Sequence, residues 1–271
     1  MVQGFGNIVL NERALRADER GFLGASSLLF LVSAAATIYW CMQMSGGMPM
    51  PGGWTMSMVW MRTPGESLLG AAATFLGMWV VMMVAMMLPS LLAMLSIYRR
   101  SLRLSGQTHL GILTALAGAG YFFVWAVFGA LAYSVGVALV AVEMNWLAVA
   151  QSVPIAIGVV LLISGFIQFT PWKSRQLTYC RNAPADGAVS PDGRSAWQHG
   201  LCLGVHCSLC CPGLMMVLLV NGVMSLRAMG MVAAAITVER FALRPERAAR
   251  LTGVILIAAG AVVIARALNA V

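Results

Sequence analysis

Residues 67–95 read S-L-L-G-A-A-A-T-F-L-G-M-W-V-V-M-M-V-A-M-M-L-P-S-L-L-A-M-L, a run without a single charge. A helix that crosses a bilayer needs about 20 predominantly apolar residues, and this run exceeds that. Comparable runs occupy 22–41, 110–142, 153–170 and 251–269. The stretch 199–242 reads either as one broken span or as two spans joined by a tight turn near Asn221, Gly222 and Arg227. The whole chain of 271 residues is 60% hydrophobic and 10% charged, with a mean hydropathy of +0.85. Soluble domains carry roughly 45–50% apolar and about 25% charged residues. That difference excludes a soluble enzyme, a disordered tail and a nucleic-acid binder. The expected fold is all-α, a polytopic membrane helical bundle forming one transmembrane domain over 1–271, with the lipid bilayer as its first partner.

Charge placement then sets the expected topology. The net charge is +8, from 17 Lys and Arg against nine Asp and Glu. With seven spans and a cytoplasmic N-terminus, Arg13, Arg16, Arg20, Arg99, Arg100, Arg103, Lys173, Arg175, Arg181, Arg194, Arg240, Arg244, Arg247 and Arg250 fall inside. Only Arg62, Arg227 and Arg266 fall outside. The positive-inside rule therefore favours about seven transmembrane helices, N-in and C-out, in a bacterial inner membrane. The first twenty residues carry six charges, so no cleavable signal peptide is expected. The hydrophilic segments are a cytoplasmic N-terminal tail, 1–21, an outer loop, 42–66, and an inner loop, 171–198. The inner loop holds Asn182-Ala183-Pro184-Ala185-Asp186-Gly187 and Ser190-Pro191-Asp192-Gly193, which favour turns. No internal repeat supports an inverted-repeat transporter.

Twenty methionines are several times ordinary usage, and they cluster. The outer loop contains Met42, Met44, Met48, Met50, Met56 and Met58 as M-x-M pairs, followed by Met61. An uncharged thioether binds soft Cu(I) or Ag(I) and has little use for Mg, Ca or Mn. The competing reading is an interfacial segment, in which Met, Trp54 and Trp60 lie on the headgroups. In the second span Met78, Met82 and Met86 recur at i, i+4, i+8 and share one helix face, with Met83 and Met87 on the adjacent stripe. They form either a soft-metal pathway or packing by an adaptable side chain. Pro89 removes a helix hydrogen bond from the carbonyl of Ala85, which predicts a kink.

The sharpest constellation is H-G-L-C-L-G-V-H-C-S-L-C-C-P-G-L-M-M, residues 199–216. His199, Cys202, His206 and Cys210 fall within an arc of about 80° on a helix, with Cys207 and Cys211 on the next stripe. Since residues 199 and 211 are about 18 Å apart along the axis, two stacked sites or a ladder is the natural arrangement. Pro212 frees the carbonyl of Ser208, as a further ligand or a hinge. Buried Cys used for helix packing is the alternative; disulfides within the run have poor geometry. Cys and His also suit zinc, but the scarcity of carboxylates and the wealth of Met put Cu(I) ahead of it. Cys180 joins the candidates because His199 and Cys202 begin the next span from the same side. Glu239 is a rare acid near the membrane, expected to pair with a loop arginine. No catalytic triad, phosphate loop or carboxylate pair is present, so an enzyme or ATP-driven pump is not expected.

At three segments the chain resembles a bacterial family of predicted metal-binding integral membrane proteins. They are M-W-V-V-M-M-V-A-M-M-L-P-S (78–90), F-I-Q-F-T-P-W-K (166–173) with Cys180, and G-V-H-C-S-L-C-C-P-G-L-M-M (204–216) running on to V-E-R (238–240). The resemblance spans about 70 to 260. It implies a helical membrane protein with a metal site at Cys207, Cys210 and Cys211. Three positions depart from the family pattern: Gln176 stands where a second inner-loop cysteine is frequent, Pro212 where a tryptophan often follows the cysteine pair, and Glu239-Arg240 replace an acidic–lysine pair.

Two functional readings follow. In the first, the outer Met loop collects Cu(I), the Met face passes it inward, and Cys207, Cys210, Cys211 and His206 hold it at mid-depth. Cys202, His199 and Cys180 then lie toward the cytoplasm, and a metal-donating or accepting protein is the partner. In the second, the chain is an accessory subunit of a larger membrane complex, and the sulfur residues are packing. A redox role for the cysteine pair with a quinone is a third reading.

Overall fold

The computed structural model describes residues 2–44, 47–50, 54–60, 65–107, 109–182 and 192–269; at 2–17, 49, 58, 181 and 182 it describes the backbone alone. The apolar runs become helices: α1 (Val2–Gln43), α2 (Leu68–Leu104), α3 (Leu110–Asn145), α4 (Leu147–Ile167) and α9 (Pro245–Asn269). These five, with α1 counted from Asp18, are long and apolar enough to cross a membrane. Between them lie α5 (Pro171–Asn182), α6 (Gly193–Cys210), α7 (Pro212–Val220) and α8 (Leu226–Phe241). Taken as one bent span, α6 and α7 bring the number to six. The expected count of seven is not reached by length, because α8 has only 16 residues against the roughly 20 that a span needs. The hinge at Pro212 is real: α6 and α7 meet at 66°, with Pro212 at the first turn of α7, where a missing N–H costs nothing. By contrast, α2 runs unbroken through Pro89.

Three expected loops carry regular structure. Of the tail 1–21, the described residues 2–21 form the first half of α1. The outer loop holds an antiparallel hairpin, β1 (Gly47–Met50) and β2 (Trp54–Ser57), with Met48 opposite Met56 and Met50 opposite Trp54. A 3-10 turn follows at Met58–Trp60. The inner loop contains α5 and the start of α6; its turn-rich residues 183–191 lie outside the described residues.

At the centre sits α2, with 56% of its apolar window buried against 17–22% in the other four spans. It binds α3 through Trp79, whose Nε1 donates to the Trp125 carbonyl at 2.9 Å. Asp18 of α1 pairs with Arg99 of α2 at 2.6 Å and with Arg103 at 3.2 Å, while Arg99 lies over the Phe22 ring. At the opposite end of α1, the Cys41 thiol donates to Met224 Sδ at 3.8 Å, in the turn between α7 and α8.

Glycines set two close helix contacts. On α6, Gly200 and Gly204 are four apart and face α3: a Cβ on Gly200 would collide with the Ala117 carbonyl, and one on Gly204 would stand 2.9 Å from the Tyr121 carbonyl. Small residues at this spacing let helix backbones touch. A second seam joins α4 to α9 through Gly158 against Gly260 and Gly165 against Gly253.

Candidate metal centre

Because Gly200 and Gly204 turn one face of α6 onto α3, Cys207, a turn further along that face, points into the bundle and is fully buried. Its Sγ accepts hydrogen bonds from Tyr121 Oη of α3 at 2.9 Å and from Arg240 Nη2 of α8 at 2.7 Å. The other guanidinium nitrogen, Nη1, donates to Ser90 Oγ of α2 at 3.2 Å, and Ser90 in turn donates to the Met87 carbonyl at 2.9 Å. One arginine thus ties the sulfur to the methionine-bearing helix. The guanidinium is buried, and its positive charge faces the Cys207 sulfur.

Three more thiols surround this point, all free and buried. Cys211 donates to the Cys207 carbonyl at 3.0 Å. Cys180, carried by α5, donates to the His206 carbonyl at 3.5 Å and is buried in the same core cluster as Cys210. Lys173, also on α5, donates to the Cys210 carbonyl at 2.7 Å and pairs with Glu239 at 2.6 Å. Both members of that ion pair are almost wholly buried, at 2% and 3% side-chain exposure. A buried charge is tolerated when it is paired and hydrogen-bonded. Glu239 therefore pairs with a lysine, not with the loop arginine expected for it.

The helical arc of His199, Cys202, His206 and Cys210 does not stay together. His199 stacks on Tyr98 of α2, with ring centroids 4.6 Å apart, and its Nε2 is buried without a partner. Cys202 is exposed, near His206 and Tyr179. Cys210 is buried with Cys180. Residues close in angle on one helix meet different neighbours when they are turns apart along it: α2 covers one level, α5 the next. Among the described residues, no three Cys, His, Asp or Glu side chains form a ready metal cage.

The methionines divide as well. Met78, Met82, Met83, Met86 and Met87 are buried in the same core cluster as Cys207, Cys210 and Cys211. Met42 and Met44 are exposed, Met48 and Met50 are half-buried in β1, and Met56 of β2 is buried. The side chains of Met58 and Met61 lie outside the described residues.

Sequence reasoning missed Tyr121, Ser90, Lys173, Arg240 and Tyr179. For Lys173 and Arg240 a signal existed: each closes an apolar stretch, in F-I-Q-F-T-P-W-K and A-A-A-I-T-V-E-R. Both were counted as loop charges, whereas the fold buries them.

Helices long and apolar enough to cross a membrane, packed with a buried thiol cluster beside Lys173 and Arg240, define an all-α bundle with a sulfur-rich centre. The chain belongs to the PpoB2 copper chaperone family, which it matches over residues 76–263. The matched stretch begins just before Met78 and takes in the whole thiol cluster; α1 and the hairpin precede it. No curated protein and no solved structure matches the chain.

Proposed function

We propose that the chain carries Cu(I) as cargo on the buried thiols of Cys180, Cys207, Cys210 and Cys211 and passes it to an acceptor protein at the inner bacterial membrane. The observation that carries this reading is the gathering of four free thiols, from α5, α6 and the α6–α7 junction, in one buried cluster in which Cys207 meets the Arg240 guanidinium. Metal is bound by the thiolate. Arg240 and Tyr121 already supply the donors that such a sulfur takes. Thiolate and thioether ligands select Cu(I) over harder ions, and the nearby carboxylate, Glu239, is occupied by Lys173. Zinc ranks second, since Cys and His also suit it. The Met78–Met87 face would lead the ion along α2 toward Ser90 and Arg240. Met42, Met44, Met48 and Met50 would collect it at the outer end.

The test is the copper content of the full chain, purified in detergent under reducing conditions and loaded with Cu(I). Cys207→Ser and Cys210→Ser are expected to lose most of the bound copper, while Cys41→Ser retains it. Equal retention in all three variants refutes the buried site. Copper at background level in the unaltered chain favours the accessory-subunit reading instead.

A further inference from the structure

Outside the buried cluster, α5 and α6 bring three reactive side chains to the surface. Cys202 Sγ lies 3.6 Å from His206 Nδ1 and 3.4 Å from the Tyr179 hydroxyl. The Tyr179 ring stacks face to face on the His206 imidazole, at 3.6 Å between centroids and 17° between planes. His206 Nδ1 is also 2.8 Å from the Cys202 carbonyl. A carbonyl only accepts, so Nδ1 carries the proton and Nε2 presents its lone pair. A backbone carbonyl that fixes the tautomer while a second group fixes the ring plane is the support that metal-binding histidines use. The exposed side chains around it are mixed, with Arg175 and Thr178 on α5 and Val205 and Leu209 on α6.

We propose that Cys202 and His206 form a second, shallow Cu(I) site, a two-ligand exchange port through which the buried cargo leaves to an acceptor thiol. This rests on the buried-site reading. The link between the levels is Cys180, whose thiol donates to the backbone carbonyl of His206 and shares the buried cluster with Cys210. The ion passes from Cys210 to Cys180 and on to the Cys202–His206 pair. No electron is transferred, and copper stays Cu(I) throughout. At each step the receiving thiol gives up its proton and forms a Cu–S bond, while the donor's Cu–S bond breaks and its sulfur takes up a proton; at Cys202 the proton released goes to water. At hand-off an acceptor thiol gives up its proton and takes the copper, and Cys202 is reprotonated.

The test uses the full chain in detergent, loaded with Cu(I), with bicinchoninate as the acceptor probe. Cys202→Ala and His206→Ala are expected to lose the copper held at the port and keep the share bound by the buried thiols, while the transfer rate of that share falls by about tenfold or more. Wild-type transfer rates in both variants overturn the port. A second measurement does not depend on kinetics. In a Cys207→Ser/Cys210→Ser chain, residual Cu(I) should remain and should vanish on adding Cys202→Ala; no residual copper, or residual copper indifferent to Cys202, also overturns it. Failure of the buried site shows separately, as full wild-type copper content in the Cys207→Ser/Cys210→Ser chain before Cys202 is changed.

Discussion

Replacing Lys173 with Met would strand Glu239, a buried carboxylate whose second oxygen already lacks a partner. Removing one member of a buried pair costs about 3–5 kcal/mol, whereas replacing both by apolar groups is often neutral. Lys173→Met should therefore lower unfolding resistance sharply, and Lys173→Met/Glu239→Leu should recover most of it, as read from denaturation midpoints in mixed micelles. Tyr121→Phe makes a finer cut: it keeps the ring and deletes one hydrogen bond to Cys207. A typical bond contributes about 0.5–1.5 kcal/mol, so Cu(I) affinity measured by chelator competition should drop by roughly tenfold or less. That is far milder than Cys207→Ser. The thiols themselves were legible in H-C-S-L-C-C, because Cys and His at helical spacing announce their chemistry. Their supporting cations were not. Arg240 is 33 residues from Cys207 and Lys173 is 66 from Glu239, and only the packing of α5 and α8 decides whether a charge at a helix end faces water or sulfur.

At the scale of elements, the α3–α6 contact depends on the absence of a single carbon atom. Gly200→Ala puts a Cβ into the Ala117 carbonyl, and backbone cannot step aside as a side chain can. Overpacking of this kind costs about 1–3 kcal/mol. Gly118→Ala, on the same helix α3, meets nothing within 4 Å and should gain roughly 0.5–1 kcal/mol from helix propensity. Opposite shifts of the thermal midpoint for the two alanines would confirm the seam; parallel shifts would refute it. Hydropathy located all five long helices but not all of their ends. The helix α1 begins 20 residues before the run at 22–41 and α2 ends nine residues beyond 95, because polar and charged turns continue both helices. It missed α5 because Pro171–Asn182 is half polar: its apolar and cationic face is buried on α6 while Arg175 and Thr178 remain exposed. The same polarity made α5 read as loop. Regular structure in the outer segment was hidden for another reason, since strand pairing of Met48 with Met56 leaves little trace in a Gly- and Pro-rich stretch.

For the whole molecule, the orientation survives the change in helix count. Taking the buried Arg99, Lys173 and Arg240 out of the inside charges leaves eleven against three. With five crossings, α6, α7 and α8 dip in and return to one side; with seven, they cross and come back. Both arrangements leave Arg244, Arg247 and Arg250 inside and the C-terminus outside, whereas six crossings would put those arginines outside, against the positive-inside rule. A periplasm-active reporter fused after Val271 should therefore be active and a cytoplasm-active one silent; the reverse result refutes N-in/C-out. The Cys41–Met224 contact puts the α7–α8 turn level with the outer end of α1, while Arg240 meets Ser90, about 33 Å of helix rise from Leu68. The thiol cluster thus lies toward the arginine-bearing end of the bundle. Its walls are unequal. On one side α6 is locked to α3 backbone to backbone; on the other, α5 and α8 meet the cluster through hydrogen bonds and one ion pair. Breathing of the molecule is therefore one-sided, a clasp working against a fixed jaw. Amide protons of α5 and α8 should exchange with deuterium well before those along the α3–α6 seam.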